Sequence, residues 1–505
     1  MQTDCAPRVN YSQRFASLAV LLLFMTGCDT GATFVDRIPV SPHQGVSLTI
    51  ACPDARIREL LERHSRVWAL ENGATVTIIQ SPFADAPQAD IGILPPAEVP
   101  RFASANQLKP IPDRIRNPGH PYHLDYVATV YREKLLIWDT EPVALPITGE
   151  GQVMVYRRDR FLDPDVRQLY EAKTKRPLVM PATWPEYAEV AAFFTELNGH
   201  PSLPPLPTQI DELDRAYFNV VACYQRPALL TSDKGTRPNN PEEAARLFSF
   251  HYDLQTMIPR LTTPAFVESL KWFQRTTPSR PVAEADSPIP SFIADDAMMG
   301  IITLADLHAL TQAALRLRPL LGIGPIPGSE IFYDYLTGEP RPALAVNRVP
   351  YVGWGGTLGV VRESTPHADA AFDLLTYLGD PTTISTELIA EPRWGVGPSR
   401  NSHTDSVNAK LWNGYDLDAT QRTALIETLH NHVPAGLVNP VLRLRIPTQE
   451  SHQQALMQAI HQGIMEKRGA MDQLQAAQKA WETLDAPIPL AERQAMYRLS
   501  LSLIR

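Results

Sequence analysis

The chain has 505 residues, with 46 Lys+Arg against 55 Asp+Glu and a formal net charge of −9, and 44% of its residues are apolar. That length allows two or three domains and a large buried core. With no basic run longer than two residues, an acidic chain of this kind lacks the cationic footprint that nucleic-acid binding requires. Charged residues at 20% exclude a disordered chain and a multi-span membrane protein alike. The 47 Pro are the unusual number; scattered along the chain, they predict irregular connections and proline-started helices.

Arg8 and Arg14 precede an apolar run, Phe15 to Met25, then Thr26-Gly27-Cys28. Such a run would cover only about 16 Å as a helix, too short to cross a hydrocarbon core of about 30 Å. It reads as a signal peptide over residues 1–27. Met25-Thr26-Gly27-Cys28 resembles the bacterial lipobox, which predicts cleavage before Cys28, a diacylated Cys28 on a membrane surface, and a tether over 28–45. Only Cys52 and Cys223 then remain in the mature chain, predicted to be two buried thiols.

Ser47 to Cys52 predicts a strand, followed by a helix with Ile57, Leu60, Leu61, Val67 and Trp68 at helical spacing. Further strands follow at Ala74–Gln80 and Ala89–Leu94, giving an α/β opening with a mostly parallel sheet. Ligands in such sheets bind at strand carboxyl ends, which places Pro53, Asp54 and Pro95 at a cleft. Gly149 and Gly151 interrupt the strand from Ala144 to Tyr156, a permissive joint where a chain passes between sheets. Thr183-Trp184-Pro185-Glu186 is a capping box opening a helix, and Thr263-Pro264 and Thr365-Pro366 predict two more, each packed outside a sheet. The four prolines between His200 and Thr208 predict an exposed loop. Ala297–Leu304 and Val360-Val361 predict buried strands, and the chain from Gln449 onward predicts helices.

Common enzyme signatures are absent. Gly353-Trp-Gly355-Gly356-Thr-Leu-Gly359 precedes a β-branched run, not the helix a dinucleotide loop requires. Asp295 and Asp296, adjacent on an extended chain, point to opposite faces and cannot flank one glycosidic bond. His120/His123 and His430/His432 lack the further ligands a metal needs and read as surface histidines. Trp68, Trp272 and Trp481 fall on helix stripes and predict core. Trp184, Trp354 and Trp394 instead stand at junctions beside Gly or Pro, where a flat aromatic face next to hydrogen-bonding loops suits a sugar.

As an ordered set these pieces resemble the extracellular solute-binding proteins (family 1) of ABC importers, the carbohydrate-binding group that includes maltose-binding proteins. The segments that carry the resemblance are Ala89-Asp-Ile-Gly-Ile-Leu with Leu108-Lys-Pro-Ile-Pro-Asp113, Ala144 to Phe161, Pro181-Ala-Thr-Trp-Pro-Glu-Tyr187, Phe292 to Met299, Gly355 to Val361 and Pro366 to Leu378. The chain departs from the family in Pro95-Pro96, which removes backbone donors, and in extra sequence near 200–240 and 400–440. The resemblance implies a type II periplasmic-binding-protein fold: two discontinuous α/β lobes joined by a hinge, with a helical C-terminus. Lobe I would comprise 46–147 and 305–362, lobe II 148–304 and 363–485, and the C-terminal tail 486–505. It implies ligand contacts at Glu150, Gln152, Trp184, Thr303, Asp306, Trp354, Gly355, Gly356, Thr357, Trp394 and Gly395, besides the rim residues above. It further implies a monomer without cofactor or metal, partnered by a small ligand, most readily a sugar, and by ABC permease subunits. Binding shifts the population toward a closed form that the permease reads. The alternatives are an envelope-anchored glycan-acting enzyme, which needs two carboxylates about 5 to 9.5 Å apart, and a receptor subunit serving a sensor kinase.

Overall fold

The computed structural model describes residues 41–227, 249–382, 384–433 and 440–503. The signal peptide, Cys28 and most of the tether lie outside these residues. In chain order, the first elements are β1 (Ser47–Ala51), α1 (Ala55–Asn72), β2 (Thr75–Ile79), β3 (Ile91–Leu94), β4 (Leu145–Thr148), β5 (Gln152–Arg157), α2 (Trp184–Asn198), α3 (Ile210–Gln225) and α4 (Pro264–Thr276). Then come β6 (Met299–Thr303), α5 (Leu304–Ala313), β7 (Leu321–Gly324), β8 (Ser329–Tyr333), β9 (Pro340–Asn347), β10 (Tyr351–Val352), β11 (Thr357–Val361), α6 (Ala368–Leu378) and α7 (Ile384–Ala390). The chain finishes with α8 (Ala419–His432), β12 (Val441–Leu442), α9 (Gln449–Met465), α10 (Ala470–Asp485) and α11 (Leu490–Ser500).

Two sheets organise two lobes. The first has the order β2-β1-β3-β11-β4. Its opening strands pair in parallel, as the alternation of strand and helix predicts, but β11 runs antiparallel to both β3 and β4, so the sheet is mixed. The second sheet, β6-β5-β7, is antiparallel throughout. A mostly parallel architecture therefore holds only for the first three strands. Burial explains the apolar runs: β3 is buried at every position, because it is interior to the first sheet with the short turn Phe83–Asp85 packed against it.

The lobe boundaries differ from the sequence reading in two places. β7 pairs with β5, so 321–324 belongs to the second sheet although 305–362 was expected in the first lobe. α6, expected in the second lobe, packs on α1 and β11 of the first. The cause is local: β11 delivers the chain to the edge of the first lobe, and the stripe Ala371, Leu374, Leu375 and Leu378 buries there. The Thr365-Pro366 start is also displaced. α6 begins at Ala368, and Thr365 Oγ1 donates to Asp90 Oδ1 instead of capping the helix.

The other helix starts divide similarly. Thr183 and Glu186 form both halves of a capping box at α2. α4 begins at Pro264 as predicted, yet it packs among α2, α3, α9 and α10, buried on several sides by Phe266, Leu270, Trp272 and Phe273. A helix ringed by helices replaces the expected one on a sheet. On α1 the buried stripe is Ile57, Leu60, Leu61, Ser65 and Trp68, whereas Val67 is exposed. The stretch 202–206 is packed, not an exposed loop: Ser202, Leu203 and Leu206 are buried and Met298 N donates to Ser202 O. The end of the expected tether is docked as well. Gly45 N donates to Gly73 O, and the His43 ring stacks on Trp68 with its Nε2 2.8 Å from Asp373 Oδ2.

Cys52 and Cys223 are both free and buried, and burial pushes the Cys52 thiol up to about 12. Trp481 is core, its Nε1 donating to His452 O. Among the described residues no helix is long and apolar enough to cross a membrane.

Candidate functional site

Three stretches of chain pass between the lobes side by side. The first is Gly149-Glu150-Gly151, joining β4 to β5. The second is Gly353 to Gly356, joining β10 to β11. The third approaches at Gly397, whose N donates to Gly149 O at 3.0 Å. Close packing here dictates residue type. A Cβ on Gly397 would stand 2.1 Å from Glu150 O, a distance no side chain tolerates. Gly356 has φ +75°, and a Cβ there would meet Thr148 O at 2.9 Å.

Glu150 binds the first two passages together. Its side chain accepts from Gly353 N at 2.7 Å and from Gly355 N at 3.1 Å. Burial pushes its pKa up to about 8, against the backbone N–H groups and the Arg215 and Arg443 charges that favour ionisation.

Above this base lies a cleft of about 590 Å³. Pro53, Asp54 and Pro95 line its first-lobe rim, Gln152, Trp184, Thr303 and Asp306 its second-lobe side, and Glu150, Trp354, Gly355, Gly356 and Thr357 its base, with Gly395 beside them. Trp394 does not join them. It is buried outside the lining under the Arg393 guanidinium, 4.1 Å from the ring centroid, because Gly395 turns left-handed at φ +63° and presents itself and Val396 instead.

Several of these side chains already have partners inside the protein. Asp54 accepts from the Arg56 backbone and guanidinium as the N-cap of α1. Thr303 and Asp306 form the capping box of α5, with Thr303 Oγ1 donating to Asp306 Oδ2 at 2.7 Å. Thr148 and Thr357 hydroxyls pair at 2.9 Å. Gln152 Oε1 accepts from Asn219 Nδ2 at 2.8 Å. Trp184 packs edge-to-face on Trp272 at 5.0 Å, and its carbonyl accepts from Trp272 Nε1. Trp272 is buried in the core, as expected, and also borders the cleft.

The sequence reading missed Arg215, Asn219, Tyr187 and Arg280, all of which line the cleft. Arg215 pairs with Glu212, and its guanidinium lies 4.2 Å from the Trp354 ring centroid. Burial lowers its pKa to about 10, against the charges of Asp306, Glu150 and Asp211. A signal was present: Asp211, Arg215 and Asn219, spaced by four, fall on one face of a helix whose next residues, Val220 to Ala222, are apolar and buried. No group of three or more His, Cys, Asp or Glu among the described residues could hold a metal ion.

No protein-family profile and no curated protein matches this chain. Solved structures do. The sugar-binding protein MalE from Xanthomonas citri is 15% identical with a TM-score of 0.60, covering 90% of this chain and 99% of its own. Maltose-bound MalE3 of T. maritima is 14% identical with a TM-score of 0.58, covering 87% and 100%. An ABC transporter solute-binding protein of Agrobacterium radiobacter K84, in complex with ribitol, is 16% identical with a TM-score of 0.58, covering 88% and 100%.

Proposed function

This chain has the two-lobed type II fold of the maltose-binding-like solute-binding proteins, and on that premise we propose that it is a binding protein which captures a saccharide or polyol between its lobes. The observation that carries the reading is one cleft, set between two sheets over three adjoining passages, with Trp354 at its base. A ligand held by both lobes favours the closed form by its differential affinity, and closure is the signal a partner reads. In this reading diacylated Cys28 holds the chain on the extracytoplasmic face of a membrane, periplasmic in a Gram-negative envelope, and an ABC permease receives the ligand. Catalysis is not included in it, because Glu150, Asp306 and Asp54 are each engaged with donors of the protein itself.

A thermal-shift panel of mono-, di- and oligosaccharides and polyols tests this. A ligand present at 100 times its dissociation constant adds about 2.7 kcal/mol of stability. One saccharide class is expected to raise the midpoint without product forming, and Trp354→Ala to abolish that rise. A panel with no shift, or turnover of the sugar, overturns the proposal.

A further inference from the structure

Three tryptophans border the cleft, and two of them hold each other. Trp184 and Trp272 meet edge to face, Trp272 Nε1 donates to the Trp184 carbonyl, and Tyr187 packs on both rings. Trp354 has no such support. Among the described residues no aromatic ring lies against it, and its Nε1 has no hydrogen-bond partner. Its backbone does not fix the ring either. Gly353 and Gly356 stand at φ +87° and +75°, joints that glycine forms without strain.

Two contacts from outside the segment do the fixing. Glu150 accepts from the Gly353 and Gly355 amides on either side of Trp354, which holds the backbone. The Arg215 guanidinium lies 4.2 Å from the Trp354 ring centroid, which holds the side chain. Arg215 is itself anchored. Glu212, one turn back on α3, pairs with its Nη2, and Asn219, one turn on, ties the helix to Gln152 of β5. A planar guanidinium lies flat on an indole face, as a lysine ammonium does not. We propose that Arg215 is a positioning residue for ligand binding: it covers one face of Trp354 and so sets the ring as the platform on whose other face a saccharide stacks. This rests on the saccharide-binding reading and names the residue that gives its platform a direction.

Fluorine NMR on the full-length chain in detergent, its tryptophans replaced by fluorotryptophan, decides it, with glucose, maltose and ribitol as probes. Trp354→Phe assigns the Trp354 line. Arg215→Met is expected to move and broaden that line, while the lines of Trp68 and Trp412, assigned in the same way, stay in place and show that the variant folds. A probe that moves the wild-type Trp354 line is expected to bind Arg215→Met about 10-fold more weakly, with Arg215→Lys in between. If Arg215→Met does not fold, Glu212→Gln decides, because it frees the guanidinium without removing it; an unmoved Trp354 line there overturns the proposal. A Trp354 line unmoved in Arg215→Met, or an affinity that does not fall, overturns the role of Arg215 and leaves the saccharide reading standing. Tighter binding to Arg215→Met would do the same, by placing the guanidinium on the face the ligand uses. A wild-type Trp354 line indifferent to all three probes would overturn both.

Discussion

Glu150 shows how one side chain takes its role from distant partners. It accepts from Gly353 and Gly355, more than 200 positions away in sequence, and its buried carboxyl titrates near 8 instead of 4.5. Because the folded pKa is raised, the folded chain holds the proton more tightly than the unfolded one. The resulting stability is complete below the unfolded value and disappears as pH rises through about 8. We expect Glu150→Gln, neutral at every pH as the protonated carboxyl is, to lie nearest wild type at pH 5. The difference should shift in favour of the variant toward pH 9 by about 1.4 kcal/mol per unit at most, as read from urea midpoints. A gap that is constant with pH would mean the carboxyl does not change its protonation on folding. That Glu150 sits at the crossover could be read from the flanking glycines. That its oxygens face backbone N–H groups could not, because nothing local to residues 149–151 encodes the approach of Gly353. The same holds for Thr303 and Asp306: their positions beside the cleft were legible, but their reciprocal cap, which occupies one oxygen of Asp306, has the spacing of any helix start. Arg215 went unread for the opposite reason, since its stripe lies within sequence assigned to an insertion.

At the scale of elements, local devices predict well where the chain supplies both partners within a few residues. The α2 capping box is an example, and Thr183→Ala should cost about 1 kcal/mol in urea unfolding, with the variant still folded; no change would mean the cap is redundant with the packing of Trp184. Thr365-Pro366 has the same local chemistry, yet Asp90, 275 positions away, takes the Thr365 hydroxyl and the helix starts later. The passages between lobes are the sharper case. With 2.1 Å between a Cβ on Gly397 and Glu150 O, Gly397→Ala must push the two backbones away from each other. We expect it to destabilise the fold by about 1–3 kcal/mol and to weaken ligand binding in the same preparation. Unchanged stability and affinity would mean that the third passage is not pressed against the first.

The whole molecule carries opposing titrations. Burial lowers the pKa of His251 and His403 to about 3 and of His432 to about 4, so each is neutral when folded. For His403 the geometry agrees, because Ser399 N donates to its Nδ1 and only a neutral ring can accept there. Groups with a depressed folded pKa give stability that is present above the unfolded value, 6.5 for histidine, and is lost as pH falls below it. Glu150 and Asp214, raised to about 8 and about 6, act in the other direction. Urea midpoints are therefore expected to peak between about pH 6 and pH 7 and to decline on both sides, and a monotonic profile from pH 4.5 to pH 9 would contradict these burials. The two-lobed α/β character was legible at this scale only through the family resemblance that the ordered segments carry, whereas the lobe membership of β7 and α6 was not, because a strand's neighbours are chosen by sheet geometry and not by proximity in sequence.

The position of β11 has a consequence for time as well as space. It lies between β3 and β4, and those two strands do not pair with each other. Residues 91–94 and 145–148 are therefore made long before the strand that joins them, which is only complete at Val361. A chain growing from its N-terminus cannot close its first sheet until more than two thirds of it has been synthesised, and until then β3 and β4 each keep an open edge. The first lobe, although first in sequence, is thus among the last regions of the molecule able to finish folding, and during synthesis its apolar strands must be shielded by something other than their native neighbours.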